Sequence, residues 1–308
     1  MNKIERVMSA LRGGEVDRPP FSFWYHFGLQ HMPGRVHAEA EVGFYRAYDL
    51  DFLKVMNDYP YPLQVGLDSI ETEDDWKRIE RVKPDDRCWQ DQLTALSEIQ
   101  AAIGKEALFI DTIFSPWTTA RRMCGRLGLI EWRKRNPELV LRAMANIADS
   151  LAGYAGEAIK RGASGIFLSL GAATDDVMSP DEYREWGRPF DLKILEAVQG
   201  APFNVLHIHG SRIHFNHVMD YPAAALNWSH HIAGPSLADG KAKSGKAVLG
   251  GINEATAAHS SPGEIRDEVA RTLGEVGRTG LLVTPGCSVP TDTPERTLRA
   301  IQSAIEQD

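Results

Sequence analysis

Short apolar runs rich in β-branched and aromatic residues recur along the chain, separated by longer stretches whose apolar positions repeat every three or four residues. Runs of that length suit strands buried on both faces, and the longer stretches suit helices that lay one face on a sheet. Eight runs stand out: residues 20–27, 51–56, 107–114, 165–170, 203–209, 223–229, 247–252 and 280–285. Alternation of this kind predicts βα units and a parallel sheet, and eight units predict a closed (β/α)8 TIM barrel of the α/β class. Several helix starts carry Ser or Thr, then Pro, then acid: Ser179-Pro180-Asp181-Glu182, Ser261-Pro262-Gly263-Glu264 and Thr293-Pro294-Glu295. A helix is expected before the first run, and residues 137–161 read as one long helix. Residues 60–105 hold more chain than one βα connection needs and predict an excursion of two helices after the second strand. With 308 residues and no internal repeat or Ser/Gly linker, residues 1–308 are expected to form a single barrel domain, a fold that takes about 250 residues.

Composition narrows the function. Apolar residues make up 43% of the chain, enough for a full core, yet no stretch approaches the roughly 18–20 uninterrupted apolar residues of a membrane span. The start, Met1-Asn2-Lys3-Ile4-Glu5-Arg6, has no apolar core or cleavage site of a signal peptide, so the cytoplasm is the expected location. A formal charge of −8 without a Lys/Arg stripe argues against nucleic acid. The 3 cysteines, Cys88, Cys124 and Cys287, are too few and scattered for a disulfide framework, leaving each a free thiol or a ligand.

In α/β barrels the chemistry gathers where the strands end. The polar residues at those ends are His26, Asn57, Asp58, Ser115, Ser169, His207, His209, Asn227, His230, His231, Asn253, Glu254 and Cys287. His207-Ile208-His209-Gly210 draws attention first, because residues two apart on a strand point to one face, so both imidazoles look into a shared space. They can equally be core histidines satisfied by a backbone or carboxylate hydrogen bond, and Cys287 a small buried thiol. His214 and His217 sit beside Arg212 and Asn216 and read as a solvated helix face. Of His230 and His231, adjacent on a strand, only one can face a cavity. Arg121-Arg122 reads as a rim pair able to hold an anionic group, and Tyr25, Tyr59 and Tyr61 as packing or as walls for an apolar ligand.

The chain resembles the uroporphyrinogen decarboxylase superfamily over most of its length. The most specific segment is Gly286-Cys287-Ser288-Val289-Pro290-Thr291-Asp292-Thr293-Pro294, which is similar to the family's last strand–loop–helix. Asp17-Arg18-Pro19-Pro20, Ser115-Pro116-Trp117-Thr118, Ser179-Pro180-Asp181-Glu182-Tyr183, His207-Ile208-His209-Gly210 and Asn227-Trp228-Ser229 resemble further family segments in order. The resemblance implies a (β/α)8 barrel, in agreement with the count of runs.

Two chemistries follow from the resemblance. Decarboxylases of the family carry an Arg-Gln-Ala-Gly-Arg run after the first strand to pair with porphyrinogen carboxylates, and here Tyr25-His26-Phe27-Gly28-Leu29 stands in its place without either arginine. Asp58 matches the catalytic aspartate, but Arg122 stands at the tyrosine and Cys287 at the last loop's histidine. The other branch holds zinc-dependent methyltransferases that work with corrinoid proteins, and His207, His209 and Cys287 fall at its metal-ligand positions. Two imidazoles and one thiolate are ligands zinc accepts, and three protein ligands leave the fourth position open, as in catalytic sites. His209 in place of the usual Cys leaves one thiolate and a formal +1 site, a stronger Lewis acid suited to an oxygen-type substrate. The expectation is therefore a zinc-dependent methyltransferase moving a methyl group between a small substrate and a corrinoid brought by a partner protein. His207, Cys287 and Asp58 are its expected catalytic residues, and Tyr25, His26, Ser115, Ser169 and His230 its substrate contacts. A decarboxylase built on Asp58, and a non-catalytic binding barrel, are the alternatives.

Overall fold

The computed structural model describes residues 1–64, 66–84 and 89–306, apart from the side chains of 125–127 and 306. Seven strands form one parallel sheet in chain order: β1 (Phe52–Val55), β2 (Leu108–Phe114), β3 (Ile166–Leu170), β4 (Val205–Ile208), β5 (Ala225–Trp228), β6 (Ala247–Ile252) and β7 (Leu281–Pro285). Each lies within an expected run, and the sheet curls into an open, TIM-like half-barrel.

The first expected strand, residues 20–27, is not a strand. Phe21 makes an isolated parallel bridge to Val283, with Val283 N–H donating to Pro20 O at 2.8 Å and Asp51 N–H to Phe21 O at 3.0 Å. Pro19 and Pro20 have no N–H for a ladder. Further along, the rings of Phe23, Tyr25 and Phe27 pack on Phe44 at 5.6, 5.0 and 5.5 Å.

Helices α1 (Lys3–Leu11) and α2 (Gly34–Ala47) precede β1, and among the described residues the excursion between β1 and β2 holds two helices as expected, α3 (Glu73–Lys77) and α4 (Gln90–Ile103). Then come α5 (Pro116–Arg135), α6 (Pro137–Lys160), α7 (Pro180–Trp186), α8 (Arg188–Ala197), α9 (Phe215–Val218), α10 (Leu237–Ser244), α11 (Pro262–Val276) and α12 (Glu295–Glu306). The anticipated caps form, with Ser179 and Ser261 each closing a capping box with the glutamate three residues on.

Two layers fill the concave side. Phe52, Ile110, Phe167, Val205, Ala225, Leu249 and Leu282 make an apolar layer, closed from below by Val7 and Ala10 of α1. Beneath them Asp51 is fully buried and takes Arg6 at 2.6 Å and Arg18 at 2.5 Å, which fixes α1 across that end. Because side chains alternate along a strand, two residues further on the inward positions become Lys54, Thr112, Ser169, His207, Asn227 and Thr284. The floor is apolar and the layer above it polar. Among the described residues no helix is long and apolar enough to cross a membrane.

Candidate functional site

Strand register sets the first part of the site. Ser169, His207 and Asn227 are neighbours across β3, β4 and β5. The Asn227 amide nitrogen donates to Leu249 O and Pro285 O, both at 3.1 Å, which fixes the flip of its carboxamide. Its oxygen therefore faces His207 Nδ1 at 2.6 Å and can only accept, so the proton sits on Nδ1 and Nε2 is left as a lone-pair donor. Phe167 stacks on the same imidazole at 5.2 Å and 23°. His207 is 3% exposed and held on two sides. A ligating histidine whose other nitrogen is bound in this way is oriented before a metal arrives.

Cys287 comes from the loop after β7, and that loop is pinned from below. Glu254 accepts a hydrogen bond from the Ser229 hydroxyl and another from Gly286 N–H at 3.1 Å. A Cβ on Gly286 would stand 2.6 Å from Ser229 Cα and 2.8 Å from Trp228 O, so only glycine lets the loop lie this close to β5. His209 follows the end of β4, with its N–H on Leu170 O at 3.1 Å. After it Gly210 takes a φ of 132°, where a side chain would also meet Thr174.

Ligand atoms of His207, His209 and Cys287 lie within 4.8 Å of one another, and their imidazole rings are 5.8 Å apart. Burial works to raise the Cys287 thiol, but the adjoining imidazoles of His207 and His209 outweigh it and hold the group down at about 4. His209 is raised in turn, chiefly by its hydrogen bond to Cys287, against burial. Metal binding needs the thiolate, and the site favours it. Two nitrogens and one sulfur at this spacing fit zinc, with a coordination position to spare.

The cluster opens on a cavity of about 670 Å³ that Ser169, His26, Lys54, Arg121 and Arg122 also line. A second cavity of about 550 Å³ adjoins it, with Asp58, Asn57, Tyr59, Trp89 and Tyr154 in its wall. His26, Thr112, Phe114 and Arg122 line both. Across that partition His26 Nδ1 meets Asp58 Oδ1 at 2.6 Å. Of the residues expected at the site, His26 and Ser169 therefore line the cavity on which the cluster opens, whereas Asp58 lines the neighbouring one.

Tyr25, Ser115 and His230 line neither cavity. Tyr25 packs on Phe27 at 4.7 Å, and Ser115 caps α5 through Thr118 N–H at 3.3 Å. His230 is pushed down to about 3 by burial, and its ring lies 3.9 Å from that of His231, which pairs with Glu268 at 3.0 Å. His214 is taken by Asp175 at 3.0 Å, away from the cluster, and Cys124 lies along α5 with burial pushing it to about 12. Cys88 lies outside the described residues. Sequence reasoning missed Lys54, a lysine inside an apolar run, and the part Asn227 plays. The signal for Asn227 was its equivalent place one run after His207.

Fold and site together define a parallel α/β protein with a zinc-type ligand set at the carboxyl ends of its strands. The chain belongs to the uroporphyrinogen decarboxylase (URO-D) family, whose model matches residues 65–307. It is 21% identical to a uroporphyrinogen decarboxylase of Synechococcus sp. (strain JA-3-3Ab), over 98% of this chain and 93% of that protein. It is 22% identical to the methylcobamide:CoM methyltransferase MtaA of Methanosarcina barkeri, over 70% of this chain and 62% of that one. Among solved structures it is similar to a methyltransferase from Methanosarcina mazei, with a TM-score of 0.79 and 18% identity over 100% of this chain and 99% of that one.

Proposed function

We propose that this chain is a zinc-dependent methyltransferase of the URO-D family, transferring a methyl group between a small substrate and a corrinoid carried by a partner protein. Its fold then works as a single (β/α)8 barrel, closed by the segment around Phe21 between β7 and β1. The observation that carries the reading is the convergence of His207, His209 and Cys287 at the strand ends, within reach of one ion. The relatives support it, since one of them is named a methylcobamide:CoM methyltransferase.

Bound there, zinc supplies a Lewis-acid charge that favours the anionic form of a thiol or of a departing oxygen. The chain's own residues prepare that site. Asn227 keeps the His207 proton on Nδ1. Glu254 and Gly286 hold the Cys287 loop against β5. Phe167 and Trp24 wall the cavity with apolar surface, which limits water around the reacting atoms. His26 and Ser169 stand in the same cavity as substrate contacts, and the single thiolate leans the chemistry toward an oxygen-type substrate such as a methyl ether.

A second reading, a decarboxylase built on Asp58, is favoured by the opening of Asp58 on a cavity next door. Metal content of the purified wild type and of Cys287→Ser and His209→Ala separates the two. Near-stoichiometric zinc, lost in both variants, is the expected result, followed by methyl exchange with a methylcorrinoid. Absence of metal from all three proteins would overturn the methyltransferase reading in favour of Asp58.

A further inference from the structure

Lys54 has no part in the chemistry described so far. It stands on β1 between Phe52 and Met56, 3% exposed, and lines the cavity of the His/His/Cys cluster. Its ammonium lies 4.7 Å from the ring centre of Phe167 and 5.5 Å from that of Trp24. Among the described residues its hydrogen-bond partner is Met56 Sδ at 3.3 Å, and no carboxylate pairs with it. Burial pushes the amine down to about 8, against the negative charge of Cys287, Glu41, Asp58 and Asp111. An unpaired buried cation is costly, and an anion brought beside it would lower that cost.

Two more cations face the same space. Arg121 and Arg122, from the second turn of α5, line the cavity, and neither has a carboxylate partner among the described residues. Arg122 lies flat on Phe114 at 3.5 Å. The acids nearby are engaged, Asp176 with Ser211 and Arg212, Asp58 with His26, Glu41 with His37 and Met56 N–H, and Asp111 with Tyr154 and Gln92. In a chain of net charge −8, this chamber is a local excess of positive charge, and a metal would add to it.

We propose that the chamber selects a small organic acid, whose carboxylate seats on Lys54 and Arg121 while its methyl-bearing heteroatom points to His207, His209 and Cys287. The inference rests on the proposed function for its choice of reacting end, but the acid subsite stands on Lys54 and Arg121 alone. Neither residue falls in the run 25–29, where the family's decarboxylases carry their arginines. The subsite is therefore built from different elements, β1 and α5. A volume of about 670 Å³ admits such an acid with room to spare.

The test is calorimetric binding of 3-methoxybenzoate against its neutral amide, and of methoxyacetate against methoxyacetamide, to zinc-loaded and chelator-stripped protein. Each acid is expected to bind both forms, with its amide weaker by roughly tenfold or more, the worth of one charge-assisted hydrogen bond. Lys54→Met keeps the length and packing of the side chain, should melt at or above the wild-type temperature, and is expected to cut the preference for the acid severalfold, with the double variant Lys54→Met, Arg121→Gln abolishing it. Arg121→Gln, on the wall, should reduce it. Equal binding of acid and amide, no binding of either acid, or an undiminished preference in Lys54→Met would overturn the proposal. If the protein holds no zinc but the stripped form still prefers the acid, the metal reading falls and this one stands. If zinc binds and no preference is seen, the reverse holds.

Discussion

Replacing Asn227 by Leu removes three hydrogen bonds at one buried point. His207 Nδ1–H loses its acceptor and Leu249 O loses the amide donor, while Pro285 O keeps the Thr284 hydroxyl as its donor. At about 1–3 kcal/mol for each buried polar group left unpaired, the metal-free variant should lose roughly 2 kcal/mol or more of stability. Zinc affinity should fall separately, because the imidazole is then free to rotate and to place its proton on Nε2, the nitrogen the metal needs. Loss of such an orienting partner costs about 10–100-fold in affinity, or about 1.4–2.8 kcal/mol. Asn227→Asp separates the two effects, since it keeps an acceptor for His207 while turning an oxygen toward the two carbonyls. It should retain most of the zinc affinity and still lose stability. Competition for zinc with a chromophoric chelator measures the first quantity, and urea unfolding of the stripped proteins the second. A folded Asn227→Leu protein that binds zinc as tightly as the wild type would refute the reasoning.

Two further outcomes follow from the same structure. Gly286→Ala puts a methyl group 2.6 Å from Ser229 Cα and must lift the Cys287 loop, so zinc should be lost with a drop in melting temperature but with the fold retained by circular dichroism. Burial raises the Asp191 carboxyl to about 8, only partly opposed by its hydrogen bond from Tyr183. The fold therefore keeps a proton that the unfolded chain releases above about 4, so the contribution of Asp191 to stability should be full below that pH and decline up to about 8. Asp191→Asn should flatten this decline, which melting curves at pH 5 and pH 8 would reveal.

The parallel sheet was legible because its strands are continuous apolar runs bounded by capped helices, and seven of the eight expected runs became strands. The eighth failed where sequence patterning is weakest. Pro19 and Pro20 lack donors, and the aromatic alternation of residues 21–27 serves packing on α2 rather than a ladder. The cluster was legible in part for a simple reason: His207 and His209 share a face by period, whereas Cys287 joins them only because the last strand ends beside β5 and β6. Contacts that depend on register across strands were out of reach, as with Asn227 on His207, and so was the inward turn of Lys54. A lysine in an apolar run carries no sign of which face it takes until the strand is placed.

The division of the strand-end space into two chambers bears on which chemistry the chain performs. A decarboxylase working through Asp58 would need its cations on the Asp58 side, to receive the acid groups of a substrate. There the carboxylate is instead tied to His26, and the wall is largely aromatic, with Tyr59, Trp89 and Tyr154. Lys54 and Arg121 lie in the other chamber, with the histidines and the thiolate. Arg122 reaches both, but stacked on Phe114 it forms part of the partition. Charge that can recognise an acid and ligands that can activate a heteroatom thus line one cavity, while Asp58 lines the one beside it and reaches Lys54 and Arg122 through its charge. That arrangement suits a substrate held by its acid end and reacting at the other, as the proposed methyl transfer from a small acid would require.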